Sequence, residues 1–331
     1  MSDSNSVPWI ATQTERLLQQ PGHAWLLHGP SGLGQYSLGL ALVSAWLCDQ
    51  PTRQGACGHC GSCHAIEVRT HADLCVLMPE TVMLELGWPL SEKAQSEIDD
   101  KKRKPSKEIR IDALRDAIEF SQRTSARGKA KAVLIYPAEC MNTITANALL
   151  KTLEEPPGDV RFTLASEAAH QLLPTIRSRC LSHSMLWPES SAALLWLLFQ
   201  GISEPAAQTA LRAAGGRPQD ALMLAQAGVT HWSDLPQAIA RGDISFFKDW
   251  APGQLVDALH KLCHDLLTLK AGAAPRFFDS ALLESMGSWT SLSLWAKQLS
   301  QIQRTLEHPF NSGLMVEALI GQAEKALNSR T

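Results

Sequence analysis

The apolar and polar positions divide the chain into a first half of alternating strands and helices and a second half that is helical. Short apolar runs predict strands at residues 24–28, 73–77, 131–136 and 161–165, and the alternating residues 108–111 predict one more. A helix is predicted over 36–48. Another contains Ala146, Leu149, Leu150 and Leu153 on one face and ends at Pro156-Pro157. This alternation favours a parallel sheet with helices on both faces.

The strand pattern disappears after about residue 187. Short helices are predicted at 190–200, 204–214 and 218–227, and leucine stripes follow at 255, 259, 262, 266 and at 294, 299, 306 with Ile302. Such stripes are first of all core positions. Residues 80–107 show little periodicity, which indicates an inserted surface loop. We therefore expect an α/β domain over 1–186, three short helices over 187–230 and an all-α domain over 231–331.

Composition limits the class of protein. A length of 331 residues suggests two or three domains, and an apolar content of 45% excludes wholesale disorder. The balance of 30 basic and 33 acidic residues excludes a polycation. No secretory signal is visible at Met1–Ser4, and the apolar run Ala192–Phe199 is far shorter than a membrane span. Eight cysteines without such a signal favour a reducing compartment, and we expect a cytoplasmic protein with no membrane partner.

Four clustered cysteines predict a metal site. Cys48, Cys57, Cys60 and Cys63 follow the spacing C-x8-C-x2-C-x2-C, with glycines between them that permit tight turns. Four thiolates fill the tetrahedral shell of Zn²⁺ and leave no position for water, so we expect a structural zinc. Free or redox-active thiols are the alternative, and His59 or His64 could replace a thiolate. The scattered Cys75, Cys140, Cys180 and Cys263 are expected to be small buried hydrophobes.

A glycine-rich loop predicts a phosphate cradle that lacks its charged side chains. Gly29–Tyr36 follows a predicted strand and opens a predicted helix, the setting of G-x-x-x-x-G-K-[ST]. Gly29 and Gly34 are in register, but Gln35 stands where lysine should be and Tyr36 where a magnesium-binding Ser or Thr should be. The strand ending at Ile135 continues into Tyr136-Pro137 and reaches no carboxylate before Glu139. An ordinary glycine-rich turn is the alternative reading.

Two further motifs carry a resemblance to a known family. Residues 146–157 read ANALLKTLEEPP, and Ser178-Arg179-Cys180 follows them. In these motifs the chain resembles the bacterial DNA polymerase III clamp-loader subunits, which are AAA+ proteins. The four-cysteine module is similar to that of the motor and δ′ subunits, and the loop without lysine resembles that of the δ′ family alone. The resemblance implies an AAA+ P-loop domain with a zinc module, a three-helix lid and a helical collar that oligomerises.

The resemblance also implies a role. A δ′ subunit is a non-hydrolysing stator, with no ATP of its own, that helps to open the sliding clamp and load it on primed DNA without sequence preference. Its expected partners are tau/gamma motor subunits and the delta subunit, and Arg179, flanked by Ser178 and Cys180, would reach the motor's ATP in trans. Arg177 and Arg179 could instead be solvated charges beside a core Cys180. Two other functions remain open: an active AAA+ ATPase motor with an atypical loop, and a zinc-ribbon nucleic-acid binder.

Charge is distributed unevenly. Residues 101–131 contain eleven Lys or Arg and four Asp or Glu, a local charge of +7 that leaves −10 for the rest of the chain. Most such runs are solvated faces, but Arg123, Arg127, Lys129 and Lys131 could contact DNA phosphates. In working members of the family an arginine near Gly215-Gly216 reaches the nucleotide. Asp220 appears at that position here, with Arg217 close by.

Overall fold

A computed structural model describes residues 7–226, 231–248, 250–284, 286–303 and 311–329. The chain forms two compact units, Met1–Ala192 and Ala193–Thr331. The finer division into three domains at residues 186 and 230 stays a prediction. Of the helices in the described part of the chain, none combines the length and the apolar character of a membrane span.

The first unit is built on a five-stranded sheet whose order is β2-β3-β4-β1-β5. Its strands, all paired in parallel, are β1 Ala24–His28, β2 Leu74–Leu77, β3 Lys131–Ile135, β4 Val160–Ser166 and β5 Leu181–Ser184. Every residue of β3 is buried, as expected for a central strand covered by helices on both faces. The predicted parallel α/β sheet is confirmed.

Two details of the sheet differ from the prediction. Residues 108–111 do not form a strand: Ile109 makes one isolated bridge with Met141, and a helix begins at Ile111. The edge strand β5 was missed because Leu181-Ser-His-Ser184 is polar and mostly exposed. The segment is a strand because it pairs with β1, which lies more than 150 residues earlier in the chain, so no local pattern reveals it.

Eight α-helices lie wholly within the first unit, among the described residues. They are α1 Pro8–Leu18, α2 Gln35–Leu47, α3 Gly61–Glu67, α4 Glu80–Glu85, α5 Glu92–Asp99, α6 Ile111–Gln122, α7 Thr143–Glu154 and α8 Pro174–Arg177. The predicted inner face of α7 is confirmed, because Ala146, Leu149 and Leu153 lie in the core beneath β3 and β4. Leu150, predicted on the same face, is only partly buried and packs at its border.

The prediction that residues 80–107 form an inserted surface loop missed two short helices. The segment contains α4 and α5, and Arg103 holds them together by pairing with Glu80 at the start of α4 and Glu97 on α5. The amide of Thr81 also donates to the carbonyl of Ser106 at 3.2 Å. Contacts between charges 6 and 23 residues apart leave no apolar period in the sequence, so the pattern could not reveal them.

The second unit is helical throughout its described part. Its helices are α9 Ser190–Phe199, which begins in the first unit, α10 Glu204–Ala213, α11 Pro218–Gln226, α12 Leu235–Ala240, α13 Pro252–Lys270, α14 Ser280–Leu283, α15 Trp289–Gln303 and α16 Ser312–Asn328. The stripe on α13, Leu255, Leu259, Leu262 and Leu266, lies in the core as predicted. On α15, Leu299 is buried but Leu294 is 58% exposed. Ala227 and Leu306, which belong to predicted elements, lie outside the described residues.

Candidate functional site

The glycine-rich loop lies at the carboxyl edge of the sheet, directly after β1. Gly32 and Gly34 adopt φ values of 76° and 95°, which favour glycine, and α2 begins at Gln35. The amide of Gly29 donates to the carbonyl of Ser166 at the end of β4, at 3.3 Å. The loop therefore has the backbone form of a phosphate cradle at a helix N-terminus, as the sequence predicted.

Gln35 is turned into its own loop. The side chain is 2% exposed, and its amide nitrogen donates to the carbonyls of Gly29 at 2.8 Å and Pro30 at 2.7 Å. A lysine at this position would present a positive charge to a phosphate. The glutamine supplies no charge, and its donor atom is already engaged with the loop.

Tyr36 belongs to a cluster of aromatic side chains at the same edge. Its ring lies 5.4 Å from the ring of Tyr136, which follows β3, and its hydroxyl accepts a hydrogen bond from the Trp88 indole at 2.8 Å. The Tyr136 hydroxyl donates to Glu167, which follows β4, at 2.9 Å. Burial raises the pKa of both tyrosines above the ordinary value, so both stay neutral.

Tyr36, Tyr136 and Glu167 thus contact one another at the edge of the sheet where a nucleotide would bind. The residues after the loop, after β3 and after β4 lie at the carboxyl ends of neighbouring strands, where α/β sheets bind ligands. Here they form a hydrogen-bonded aromatic contact. Sequence reasoning identified Tyr36 and Tyr136 but missed Trp88 and Glu167. Trp88 lies in the insert, 52 residues from its partner, and no local signal points to it.

The four predicted cysteine ligands come together. Cys48 directly follows α2, Cys57 lies in the following turn, and Cys60 and Cys63 lie at the start of α3. Their sulfur atoms all lie within 4.8 Å of one another, with Cys60–Cys63 at 3.4 Å, Cys48–Cys60 at 3.8 Å and Cys57–Cys63 at 3.9 Å. Four bonds of about 2.3 Å in a tetrahedron separate the sulfurs by about 3.8 Å. The cluster can therefore hold a metal ion.

Backbone amides surround the sulfurs. Cys57 N donates to Cys48 Sγ at 3.3 Å, and the amides of Asp49 and Cys63 each donate to Cys60 Sγ at 3.4 Å. Burial raises the pKa of the Cys60 thiol, but hydrogen bonds from the amides of Cys63 and Asp49 and from the Cys63 and Cys57 side chains outweigh it and lower the pKa to about 6. Burial and the neighbouring Cys60 raise the pKa of Cys63 to about 12. The site thus favours at least one thiolate, the form that binds metal.

A loop from elsewhere in the first unit anchors the cysteine module. The Lys129 ammonium donates to the carbonyls of Cys48 at 2.8 Å and Asp49 at 3.0 Å, and the Arg127 guanidinium donates to Ser62. Asp49 in turn accepts from the Ser62 hydroxyl at 2.8 Å. The sequence suggested that Arg127 and Lys129 could contact DNA. The structure gives both a structural role.

The other two candidates for DNA contact, Lys131 and Arg123, differ in their exposure to solvent. Lys131 is 4% exposed and donates to the carbonyl of Phe120 at 2.6 Å, with its ammonium 4.0 Å from that ring. The suggested contact with DNA is therefore wrong, because the side chain is buried and its ammonium is bonded to Phe120. Arg123 is exposed and pairs with Glu119 at 2.6 Å.

The Ser178-Arg179-Cys180 motif forms a turn directly after α8. Ile176 is fully buried, and Cys180 packs against the same core, where burial raises the pKa of its thiol to about 12. The Ser178 hydroxyl donates to the carbonyl of Thr175 at 3.1 Å. Arg179 is 29% exposed and pairs with Glu154 at the end of α7. The motif thus places a guanidinium at the surface on a turn anchored in the core.

The last two residues that the sequence singled out, Arg217 and Asp220, lie just before α11 and in its first turn. Arg217 donates to Asp220 at 2.7 Å, and both side chains are largely buried, with 19% and 23% exposed. Asp220, in the first turn of α11, thus has a cationic neighbour.

The parallel sheet, the glycine-rich loop after β1 and the helical second unit together make an AAA+-like fold. A crystal structure of a DNA polymerase III gamma subunit-related protein from Thermotoga maritima shares this fold. Its TM-score is 0.50 at 16% identity, over 96% of this chain and 99% of that chain.

Sequence relatives specify the family. Residues 10–186 match the family described as DNA polymerase III, delta subunit. The chain is 32% identical to DNA polymerase III subunit delta′ of Pseudomonas aeruginosa, with 92% of each chain covered. It is 35% identical to the Escherichia coli K12 subunit delta′, over 66% of this chain and 60% of that protein. Similarity to E. coli subunit tau, at 32%, covers 67% of this chain but 30% of tau. The chain belongs to the delta′ family of DNA polymerase III clamp-loader subunits.

Proposed function

We propose that this chain is the non-catalytic stator of a clamp loader, which helps to open the sliding clamp and load it on primed DNA. Its partners would be tau/gamma motor subunits, the subunits named among its relatives, and a delta subunit. One observation carries the proposal. In the loop that would bind ATP, the Gln35 side chain donates hydrogen bonds to the loop's own carbonyls, those of Gly29 and Pro30. Contact with DNA would involve phosphates alone and would therefore weaken with salt.

Arg179 is the residue through which the stator would act on a neighbour. A guanidinium is permanently charged and makes forked contacts with phosphate oxygens. An arginine supplied in trans accelerates related NTPases by ~10³–10⁵-fold. Arg179 meets the structural requirement for this role, because it lies at the surface on a turn that Ile176 and Cys180 fix in the core.

The cysteine cluster would hold a structural Zn²⁺. Cys48, Cys57, Cys60 and Cys63 supply four thiolates, which is the preferred shell of a closed zinc site. The ion would join the end of α2 to the start of α3. Its role in this proposal is to stabilise the module rather than to take part in a reaction.

The test of the trans role is Arg179→Ala in the reconstituted complex with its motor and delta subunits. We expect ATP turnover at the adjoining site to fall by ~10³-fold, because the transition-state charge loses its cation. The total DNA-stimulated ATPase rate of the complex would then fall by the part that this one site contributes. Exposed Arg177, two residues away on α8, provides the matched control as Arg177→Ala.

Unchanged turnover by an intact Arg179→Ala complex would exclude the trans role. The second candidate, a motor subunit with an atypical loop, is favoured by the retained backbone form at Gly32 and Gly34. The contact between Tyr36 and Tyr136 opposes it, since both rings stand where metal-binding groups would be.

A further inference from the structure

The pairing of Arg179 with Glu154 assigns a function to a residue outside the arginine motif. Arg179 Nε donates to Glu154 Oε1 at 2.6 Å, and Arg179 Nη2 donates to the same oxygen. Arg179 Nη1 donates to the carbonyl of Thr175 at 2.9 Å. We infer that Glu154 is a positioning residue that aims Arg179 at the ATP of the neighbouring subunit. The inference rests on the proposed function.

The contact leaves part of the guanidinium available. Glu154 holds the side of the fork formed by Nε and Nη2, with a single carboxylate oxygen. Five N–H groups are present on a guanidinium, and Nη2 carries two of them. At least one N–H of Nη2 is thus directed away from Glu154. A phosphate oxygen can bind there without displacing the carboxylate.

Both partners are held by rigid elements. Glu154 is the last residue of α7, whose inner face lies in the core, and Pro156-Pro157 follows it closely. The Arg179 amide donates to the carbonyl of buried Ile176 at 3.1 Å. The guanidinium also lies near the C-terminus of α7, where the helix dipole favours a cation. The arginine is therefore held where it would act before the neighbour arrives.

The small contribution of this ion pair to folding stability distinguishes a positioning role from a stabilising one. The Arg179 side chain is 29% exposed and that of Glu154 is 48% exposed, and pairs this exposed contribute little to folding. An unrestrained arginine samples many rotamers, and the conformational entropy that it loses on binding weakens its contact with phosphate. Loss of Glu154 should therefore affect turnover more than it affects stability.

The experiment measures DNA-stimulated ATPase of the reconstituted complex with Glu154→Ala and Glu154→Gln. We expect Glu154→Ala to lower kcat at the adjoining site about tenfold with KM for ATP unchanged and the melting temperature within about 1 °C of wild type. Glu154→Gln retains an acceptor oxygen, so its kcat should lie between that of wild type and that of Glu154→Ala. Glu155→Ala, which changes the adjacent exposed glutamate, is the matched control and should match wild type.

A double-mutant cycle distinguishes this inference from the proposed function. In the Arg179→Ala background, Glu154→Ala should cause no further loss, because its only target is gone. If Arg179→Ala is slow but Glu154→Ala is as fast as wild type or faster, the inference is overturned and the trans arginine stands. A further loss in the double variant also overturns it. If Arg179→Ala itself is silent, the proposed function fails and the inference fails with it.

Discussion

Single residues decide whether the phosphate cradle can work. A unit charge ~4 Å from a phosphate oxygen contributes about 4 kcal/mol at an effective dielectric near 20, or about a thousandfold in affinity. Gln35 forgoes this attraction and closes the loop with two hydrogen bonds to its carbonyls. Tyr36 adds a buried ring where a small hydroxyl would hold magnesium.

Nucleotide affinity follows from this pair of residues. We expect a fluorescent ATP analogue with Mg²⁺ to show no binding to the isolated chain at micromolar concentration. Gln35→Lys alone should not restore binding, because Tyr36 still contacts Tyr136 and accepts from Trp88. The measurement is fluorescence anisotropy, with a tau/gamma motor subunit as the positive control. Tight Mg²⁺-dependent binding to the wild-type chain would contradict the stator.

At the scale of elements, an ion-pair cluster organises the insert between β2 and α6. Arg103 donates to Glu80 at 2.8 Å and to Glu97 at 2.7 Å, and the amide of Ser106 donates to Glu80 at 2.8 Å. The hydrogen bond from Arg103 is the main cause that lowers the pKa of Glu80 below its ordinary value. The insert also supplies Trp88 to Tyr36, so its order bears on the closed cradle.

Stability of the insert should depend on pH through Glu80. Because its folded pKa is lowered, its contribution is present above the ordinary pKa and is lost as pH falls through the folded value. Glu80→Gln should therefore lower the melting temperature at pH 7 by about 2–4 °C, and the difference from wild type should shrink as the pH falls below the ordinary pKa of a glutamate. Differential scanning fluorimetry across pH provides the measurement. Glu85→Gln, an exposed glutamate on the same helix, should show no such convergence.

At the scale of the whole molecule, the chain joins two units of different construction. The first unit, Met1–Ala192, combines non-local parallel pairing with the cysteine module, and the second, Ala193–Thr331, is helical throughout its described part. The module is tied to the first unit at the end of α2 and through Lys129. A metal in this cluster should therefore stabilise one unit and leave the other unchanged.

Metal removal tests this asymmetry. We expect about one zinc per chain by elemental analysis, and structural zinc in small peptides contributes ~10–16 kcal/mol. Chelation or Cys60→Ala should lower the transition of the first unit and leave that of the second unit in place, as followed by calorimetry. His64→Ala is the control, because this exposed ring lies 4.0 Å from Glu67 and outside the sulfur cluster. A stable, metal-free preparation with an unchanged first transition would contradict the site.

Local patterns predicted what local physics controls. The apolar runs of β1, β3 and β4, the leucine stripe of α13 and the spacing of the four cysteines all correspond to what the structure shows. The insert, β5 and the burial of Lys131 were missed or misassigned. The insert and β5 depend on partners far along the chain, Arg103 with Glu80 and β5 with β1, and Lys131 is buried against Phe120 of the preceding helix.

The sequence by itself determined the family, the fold class, the cysteine set and the absence of lysine at Gln35, because these are properties of residue type and spacing. Only the tertiary structure decided that Gln35 bonds its own loop, that Tyr36 meets Tyr136 and Trp88, and that Glu154 holds Arg179. Those contacts join residues that the chain separates but the sheet edge and the helix ends bring together. Their energies depend on distance and burial, which the order of residues does not contain.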